Sequence, residues 1–464
     1  NHERLNHMAK QLSLFLGFLA AVLVGVLVYA SSGNSDQGWT AGVATLCAIW
    51  WIFEPVPIPV TSIVPLAILP LVGVLKPSEI GESYGHPLVL LMMGGFMLSM
   101  AMERSNTHRR IALGMVRLFG GGSARGLVFG FMIAAAGLSM WISNAATTLM
   151  LLPIVLVVVE KSTDTKLRTS LLLGVAYAAS VGGVGTPIGT PPNLVFMTVY
   201  AETTGTEITF LQWMRMALPV VFIMIPIVGL WLTRNVNTKA VMELPKVGRW
   251  RSAEIRTLAV FVTTALLWMT RSDPFGGWSE WLGLNQANDA SVALLAVVAL
   301  HLIPNGEQSG EKLLDWKSAA KIPWGILILY GGGIANAKAF MASGLSDTIG
   351  ASMTSLAAIP IILMITLICL AVTFLTEVTS NTATANLLMP ILAAGAMTAG
   401  IDPKLVMVPA AMSCSFAFML PVATPPNAIV FASEELTINR MAREGFVLNL
   451  AGVVVVTAIC YATL

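Results

Sequence analysis

Residues 143–153 read SNAATTLMLLP, and residues 380–390 read SNTATANLLMP. Each Ser-Asn pair stands inside an apolar run, where water does not solvate a polar side chain and each polar group needs a partner within the protein. The two stretches start 237 residues apart. A motif written twice at that distance points to a duplicated architecture.

The duplication extends beyond the pair. A hydroxyl stands four residues before each Ser-Asn, Ser139 in the first copy and Thr376 in the second. GTPIGTPPN at 185–193 matches MLPVATPPN at 419–427, with the TPPN motifs 234 residues apart. Gly94-Gly95 in LLMMGGF matches Gly331-Gly332 in LILYGGG, again at an offset of 237. One chance TPPN pair is unremarkable; a collinear set in one register is a repeat.

Composition sets the solvent. Of 464 residues, 56% are hydrophobic and 11% charged, against about 25% charged in a soluble domain. Lipid is therefore the expected main solvent, and apolar runs long enough to cross a bilayer recur along the chain. The first, Leu12 to Tyr29, carries no small-residue cleavage signal after it and reads as a retained helix. Cys47, Cys369, Cys414 and Cys460 show no CxxC spacing and read as small buried hydrophobes. A net charge of +2 selects no partner.

The expected spans are 11–30, 41–54, 58–75, 87–102, 170–200, 212–233, 255–270, 288–303, 323–342, 406–432 and 444–463. Segments 126–160 and 360–398 each carry a Ser-Asn near the middle. Their length fits two short re-entrant arms or two crossings. With the N-terminus inside, the inner loops hold Arg4 and Lys10; Arg104, Arg109, Arg110, Arg117 and Arg125; Lys161, Lys166 and Arg168; Arg234 through Arg256; Lys312, Lys317 and Lys321; and Arg440 and Arg443. That is 21 of the 26 Lys and Arg residues, while the outer loops 31–40, 201–209 and 343–358 hold none. The positive-inside rule then gives eleven crossings, N-terminus cytoplasmic and C-terminus outside. Five crossings separate the motif segments, so one opens from each face, as in an inverted-topology repeat. The expected organisation is an N-terminal helix over 1–40, a first repeat over 41–200, connecting helices over 201–287 and a second repeat over 288–464.

Chemistry follows from the breaks. TPPN inside an apolar span interrupts the helix, because each proline removes a donor and clashes with the preceding turn. The interruption frees carbonyls at the end of one half-helix and N–H groups at the start of the next. Freed carbonyls suit a hard cation, and N–H ends suit an anion. Ser and Asn add oxygens for the cation and donors for a carboxylate. No basic residue lies in either Ser-Asn segment. Bound cations would supply the countercharge, making anion binding depend on them.

Plainer readings stand beside these. Ser, Thr and Asn in membrane helices often bond one helix to another, but two copies each followed by TPPN favour a site. The glycine pairs read as close-packing positions. Glu377 is an intramembrane acid, expected to pair with Lys338 as a strut rather than to act in a site. Glu54 reads as an interface or hairpin residue, and His86 and His301 as single, unpartnered structural residues. There is no GxxxxGK[ST], HExxH or GxSxG, which disfavours an ATP-driven pump and a membrane hydrolase. A channel or membrane-embedded enzyme is the reading from another class; no nucleophile–base pair supports the latter.

SNAATT and SNTATA, with GTPPN, ATPPN and the run SCSFAFMLPVATPPNAIVF at 413–431, resemble the divalent anion/sodium symporter family, in particular its bacterial INDY-type sodium-coupled dicarboxylate transporters. The resemblance runs from about residue 40 to the end. It implies an all-α polytopic membrane protein with eleven transmembrane helices and two re-entrant hairpins, tips at 143–145 and 380–382, and broken helices at 189–193 and 423–427. It further implies interleaved scaffold and transport domains, a homodimer in the bacterial inner membrane, and an elevator-type movement. The implied activity is sodium-coupled symport of C4 dicarboxylates such as succinate, malate and fumarate. Citrate or sulfate, or proton coupling, are the alternatives. Two or more Na+ ions would be bound, one by Ser139, Ser143, Asn144 and Gly189, another by Thr376, Thr379, Ser380, Asn381 and Ala423. Substrate would face Ser143, Asn144, Ala145, Thr190 and Pro191 on one side and Ser380, Asn381, Thr382, Thr424 and Pro425 on the other. One position departs from the family's pattern. Its first motif reads SNT, and here residue 145 is alanine, so one substrate-facing hydroxyl is missing.

Overall fold

The computed structural model describes residues 2–120, 122–160, 164–236, 248–272, 275–352 and 359–464. Lys161, Lys239, Lys246 and the end of the outer loop 343–358 lie outside the described residues. Among those described there is no β-strand, only an isolated bridge between Pro304 and Lys312.

The N-terminal part comprises α1 (His2–Ser32), α2 (Ser35–Phe53), α3 (Ile58–Leu71), α4 (Pro77–Tyr84) and α5 (Pro87–Arg104), then the amphipathic α6 (Thr107–Phe119). The first Ser-Asn segment is α7 (Ala124–Ser139) and α8 (Asn144–Glu160). The first TPPN segment is α9 (Thr165–Gly183) and α10 (Pro191–Thr204), followed by α11 (Phe210–Thr233). The middle holds α12 (Ser252–Met269), α13 (Gly277–Trp281), α14 (Asp289–Leu302), α15 (Trp316–Ala319), α16 (Trp324–Ala342) and α17 (Leu345–Ser352). The second Ser-Asn segment is α18 (Ile361–Thr376) and α19 (Asn381–Thr398); the second TPPN segment is α20 (Lys404–Ser413) and α21 (Pro425–Phe431); α22 (Ile438–Thr463) ends the chain.

Local signals start these helices where the sequence requires. Ser123 caps α7 by accepting from Gly126 N, Asp164 caps α9 from Lys166 N, and Thr209 with Gln212 forms a capping box on α11. Pro153 and Pro390 sit inside α8 and α19 at the same repeat offset.

Among the described residues, six stretches are long and apolar enough to cross a membrane: Lys10–Ser32, Pro77–Arg104, Phe210–Thr233, Ser252–Met269, Trp324–Ala342 and Ile438–Thr463. The expected spans 170–200 and 406–432 are split, each by an irregular stretch containing the TPPN threonine. Three of the arms beside the Ser-Asn pairs, α7, α8 and α18, are short apolar helices, and the fourth, α19, has 18 residues. Helix α1 leaves Phe15, Leu19, Val22 and Val26 exposed, a surface suited to lipid.

The glycine pairs are packing positions, as their spacing predicts. A Cβ on Gly94 would lie 2.6 Å from the Ala293 Cβ, and one on Gly332 would lie 2.3 Å from the Ser62 carbonyl oxygen. The first pair lets α5 meet α14; the second lets α16 meet α3.

Two expectations are corrected. Glu377 does not pair with Lys338. Its Oε1 accepts from Met419 N at 2.9 Å and Asn449 Nδ2 at 2.7 Å, and its Oε2 from Leu420 N at 3.0 Å. Lys338 instead sits between Glu82 (3.3 Å) and Glu202 (3.7 Å). Glu82, exposed on α4, and Glu202, on α10, already supply Lys338 with carboxylates, whereas backbone N–H groups freed by the 414–424 break need a buried acceptor. His86 is not unpartnered either. Its Nδ1 caps α5 by accepting from Leu88 N, and its Nε2 lies 3.6 Å from Glu202. His301 places Nδ1 2.8 Å from the Val297 carbonyl and leaves Nε2 buried without a partner.

Candidate functional site

Eight helix ends meet the motifs. Helices α7, α9, α18 and α20 end at them, and α8, α10, α19 and α21 begin there. The repeats are crossed: α8 packs on α21, and α10 packs on α19. Each Ser-Asn arm therefore lies against the TPPN half-helix of the other copy, bringing both motif sets into one region.

At the first tip, one end of the Asn144 amide lies 2.5 Å from Ser139 Oγ, 3.2 Å from the Ala179 carbonyl and 3.3 Å from the Gly189 carbonyl. With its NH2 there, the amide donates to these oxygens. With its oxygen there, Ser139 Oγ donates to it while the Ala179 and Gly189 carbonyls face it, an oxygen-rich set that a hard cation can bridge. The donor set thus fits a hard cation. Close backbone approach makes it possible, since a Cβ on Gly183 would fall 2.4 Å from Asn144 Oδ1. Ser143 Oγ accepts from Ala146 N, and Ala145 is half-buried on the first turn of α8.

The second tip repeats the plan. Thr376 Oγ1 donates to Asn381 Oδ1 at 2.7 Å and to the Cys414 carbonyl at 2.9 Å. Thr379 bonds Leu375 O and Thr384 Oγ1, which leaves its backbone as its contribution to the tip. The Ser380 carbonyl accepts from Thr384 N, and the Thr382 carbonyl accepts from Asn386 Nδ2. Ala423 N donates to Leu420 O within the break, and Ala423 is buried.

The breaks are held by a residue whose role sequence reasoning missed. Asn193 is fully buried, and its Nδ2 donates to the carbonyls of Gly183 (3.1 Å), Val184 (3.2 Å) and Thr186 (2.7 Å). Asn427 is fully buried, and its Nδ2 donates to Ala417 O at 2.9 Å and Leu420 O at 3.0 Å. Gly183 and Ala417, like Thr186 and Leu420, are one repeat offset of 234 apart. The fourth residue of TPPN thus clamps the unwound backbone at two matched positions in both copies, with Val184 as a third in the first. The signal was there: an amide one turn into a helix whose prolines free the carbonyls behind it.

Thr190 and Thr424 are the N-caps of α10 and α21, and Pro191 and Pro425 are the first helical residues. Thr424 Oγ1 accepts from Asn427 N. Tyr330 OH donates to the Pro191 carbonyl. Glu377 and Asn449 hold the second break, with Asn449 Oδ1 accepting from Phe418 N at 3.2 Å. In the first copy, Glu377's counterpart is Met140, whose carbonyl accepts from Thr186 Oγ1. Beside the first tip, Trp141 stacks on Phe210 and Trp268, with ring centroids 5.9 and 6.5 Å away.

Comparison with known proteins now bears on this geometry. The family described as "Sodium:sulfate symporter transmembrane region" matches residues 9–463. The chain belongs to that family. It is 36% identical to a sodium-dependent dicarboxylate transporter, SdcS, of Staphylococcus saprophyticus, covering 98% of this chain and 91% of that one. It is 37% identical to SdcS of Staphylococcus aureus, covering 96% and 90%. The crystal structure of the Alcanivorax borkumensis YdaH transporter, described as having an unusual topology, superimposes with a TM-score of 0.58. It covers 86% of this chain and 89% of that one at 12% identity, a likeness of fold alone. Membership in this family with these apolar helices makes the chain an integral membrane protein and a secondary transporter, not an enzyme.

Proposed function

We propose that the chain is a sodium-coupled symporter of C4 dicarboxylates, succinate, malate and fumarate among them. The observation that carries this reading is the meeting of helix ends of both polarities at two Ser-Asn tips that hold no basic residue. Four C-terminal ends present carbonyls and a negative dipole end to cations. The N-terminal ends of α8, α10 and α19 present N–H groups to carboxylates; α21, seven residues long, adds little dipole. The 36–37% identical dicarboxylate transporters support the choice of anion.

One cation is assigned to Ser139, Ser143, Asn144 and the Gly189 carbonyl, a second to Thr376, Thr379, Ser380, Asn381 and the Ala423 carbonyl. The two carboxylates of the substrate lie between the tips, against Ser143, Asn144 and Thr190 on one side and Ser380, Asn381, Thr382 and Thr424 on the other. Pro191 and Pro425 shape the walls and Ala145 faces the anion. The tips hold no Lys or Arg, so a dianion enters against no fixed positive charge until the cations are bound. That order of charge is the physical basis of coupling. The remaining assignments are an elevator movement of the motif-bearing helices past a scaffold, a homodimer in the bacterial inner membrane, a cytoplasmic N-terminus and a C-terminus outside.

The test is uptake of radiolabelled succinate into proteoliposomes under an inward sodium gradient, against an equal potassium gradient. Accumulation with sodium alone, competed by malate and not by sulfate, is the expected result. Equal uptake under both gradients would remove sodium coupling from the reading, and competition by sulfate but not malate would reassign the anion.

A further inference from the structure

Between the two tips lies a contact that neither motif predicts. Thr190 Oγ1 and Ser415 Oγ are 3.3 Å apart, and both residues are buried, Thr190 at 2% exposure and Ser415 at 0%. Thr190 follows Gly189, whose carbonyl lies at the first tip. Ser415 follows Cys414, whose carbonyl accepts from Thr376 at the second. A single hydroxyl pair thus joins the backbone of one break to that of the other, across the repeats. A second strand runs beside it: Tyr177 OH, on α9, donates to the Phe418 carbonyl at 2.7 Å.

The bridge breaks the repeat's symmetry. One offset of 234 away, Thr190 corresponds to Thr424, whose hydroxyl is used on Asn427 N, and Ser415 corresponds to Val181, which has no hydroxyl. The crossing is therefore made once. A hydroxyl in a dry interior that loses its partner is costly to leave bare. The bridge closes only when Thr190 and Ser415 both hold the backbone positions that place the flanking carbonyls at the tips.

We propose that Ser415 is a positioning residue that couples the two cation sites. A cation at the first tip orders the Gly189–Thr190 backbone and presents the Thr190 hydroxyl to Ser415. That stabilises the Cys414–Ser415 backbone and tightens the second site; by linkage the reverse holds equally. One neutral hydrogen bond corresponds to about a two- to tenfold change in affinity. Two equal sites coupled to that extent titrate with a Hill coefficient of roughly 1.2 to 1.5. This inference rests on the sodium assignment proposed above.

The experiment uses the purified full-length chain in detergent, without any dicarboxylate, so that coupling through shared substrate is absent. Thermal midpoint is followed while sodium replaces choline at constant ionic strength. The wild-type chain is expected to titrate with a Hill coefficient above 1. Ser415→Ala is expected to titrate with a coefficient near 1 and a half-saturation raised about two- to tenfold, and Ser415→Thr to restore the steepness. If Ser415→Ala does not fold, Ser415→Cys keeps the shape with a weaker donor and is expected to show the same loss. A steep wild-type titration left equally steep by the alanine or cysteine variant overturns the coupling and leaves the sites standing. A wild-type chain stabilised no more by sodium than by choline overturns the cation assignment, and the coupling with it.

Discussion

Removing the amide at Asn427 probes the part of the site that sequence reading missed. In Asn427→Ala, the buried Ala417 carbonyl loses its donor, and the Leu420 carbonyl keeps only Ala423 N. The bare carbonyl costs about 1–3 kcal/mol and the second lost bond about 0.5–1.5 kcal/mol. One term runs the other way: Asn427 Oδ1 has no partner, nor has Asn193 Oδ1 in the first copy. Deleting that orphan acceptor returns about 1–3 kcal/mol. The net destabilisation of the ordered break is therefore about 0.5–1.5 kcal/mol, roughly 2- to 10-fold in its population. If cations bind only the ordered break, the sodium half-saturation rises by up to that factor. Asn193→Ala removes three bonds, leaving the Gly183 carbonyl bare while Val184 keeps Trp213 Nε1 and Thr186 keeps Gly189 N, and raises it further. The assay is sodium-dependent succinate uptake in proteoliposomes, with the sodium dependence of the melting temperature as an independent reading. Folded variants of both asparagines with unchanged sodium half-saturation would refute the clamp and sever the breaks from cation binding.

Further expectations rest on other contacts. Ala145→Thr restores the hydroxyl that the second copy has in Thr382, and is expected to raise apparent dicarboxylate affinity about two- to tenfold; no change in affinity or rate removes residue 145 from the substrate surface. Gly183→Ala puts a Cβ 2.4 Å from Asn144 Oδ1 and is expected to abolish sodium-dependent uptake. Gly114→Ala, on α6 with open space around it, is expected to leave uptake intact and raise stability by about 0.5–1 kcal/mol. Glu377→Gln sets an NH2 against a backbone N–H that now donates to a carboxylate, and should lower the melting temperature and the sodium affinity together; a change in melting temperature alone would confine Glu377 to structure.

The two breaks were legible because they rest on local chemistry. Two prolines in an apolar run interrupt a helix wherever the run folds, and a Ser-Asn pair repeated in register announces that the interruption is used. The glycine pairs were legible for the same reason, since backbone contact requires the absence of a side chain. What holds the breaks was not, because the partners are distant in sequence. Glu377 reaches Asn449 across 72 residues, Tyr177 reaches Phe418 across 241, and Thr190 reaches Ser415 across 225. Lys338 seemed Glu377's natural partner because charge was the only criterion available. The fold decided otherwise: freed backbone N–H groups beside a buried carboxylate outcompete a lysine that can reach solvent-side acids.

The asymmetry between the copies bears on coupling. A perfectly duplicated pair of sites would bind its two cations with equal intrinsic affinity. Here Glu377 stands where the first copy has Met140, Ser415 where it has Val181, and Ala145 where the second has Thr382. Each departure puts a polar group on the second copy and none on the first. The second break is held by a carboxylate and an amide reaching it from α18 and α22, while the first is held through Thr186 on a carbonyl and Trp213 Nε1 on Val184 O. A carboxylate one residue from Thr376 adds negative potential at the second tip that the first does not have. On the proposed assignment, that potential favours a cation at the second tip, and the Thr190–Ser415 bridge is the route by which the filling of either site reaches the other.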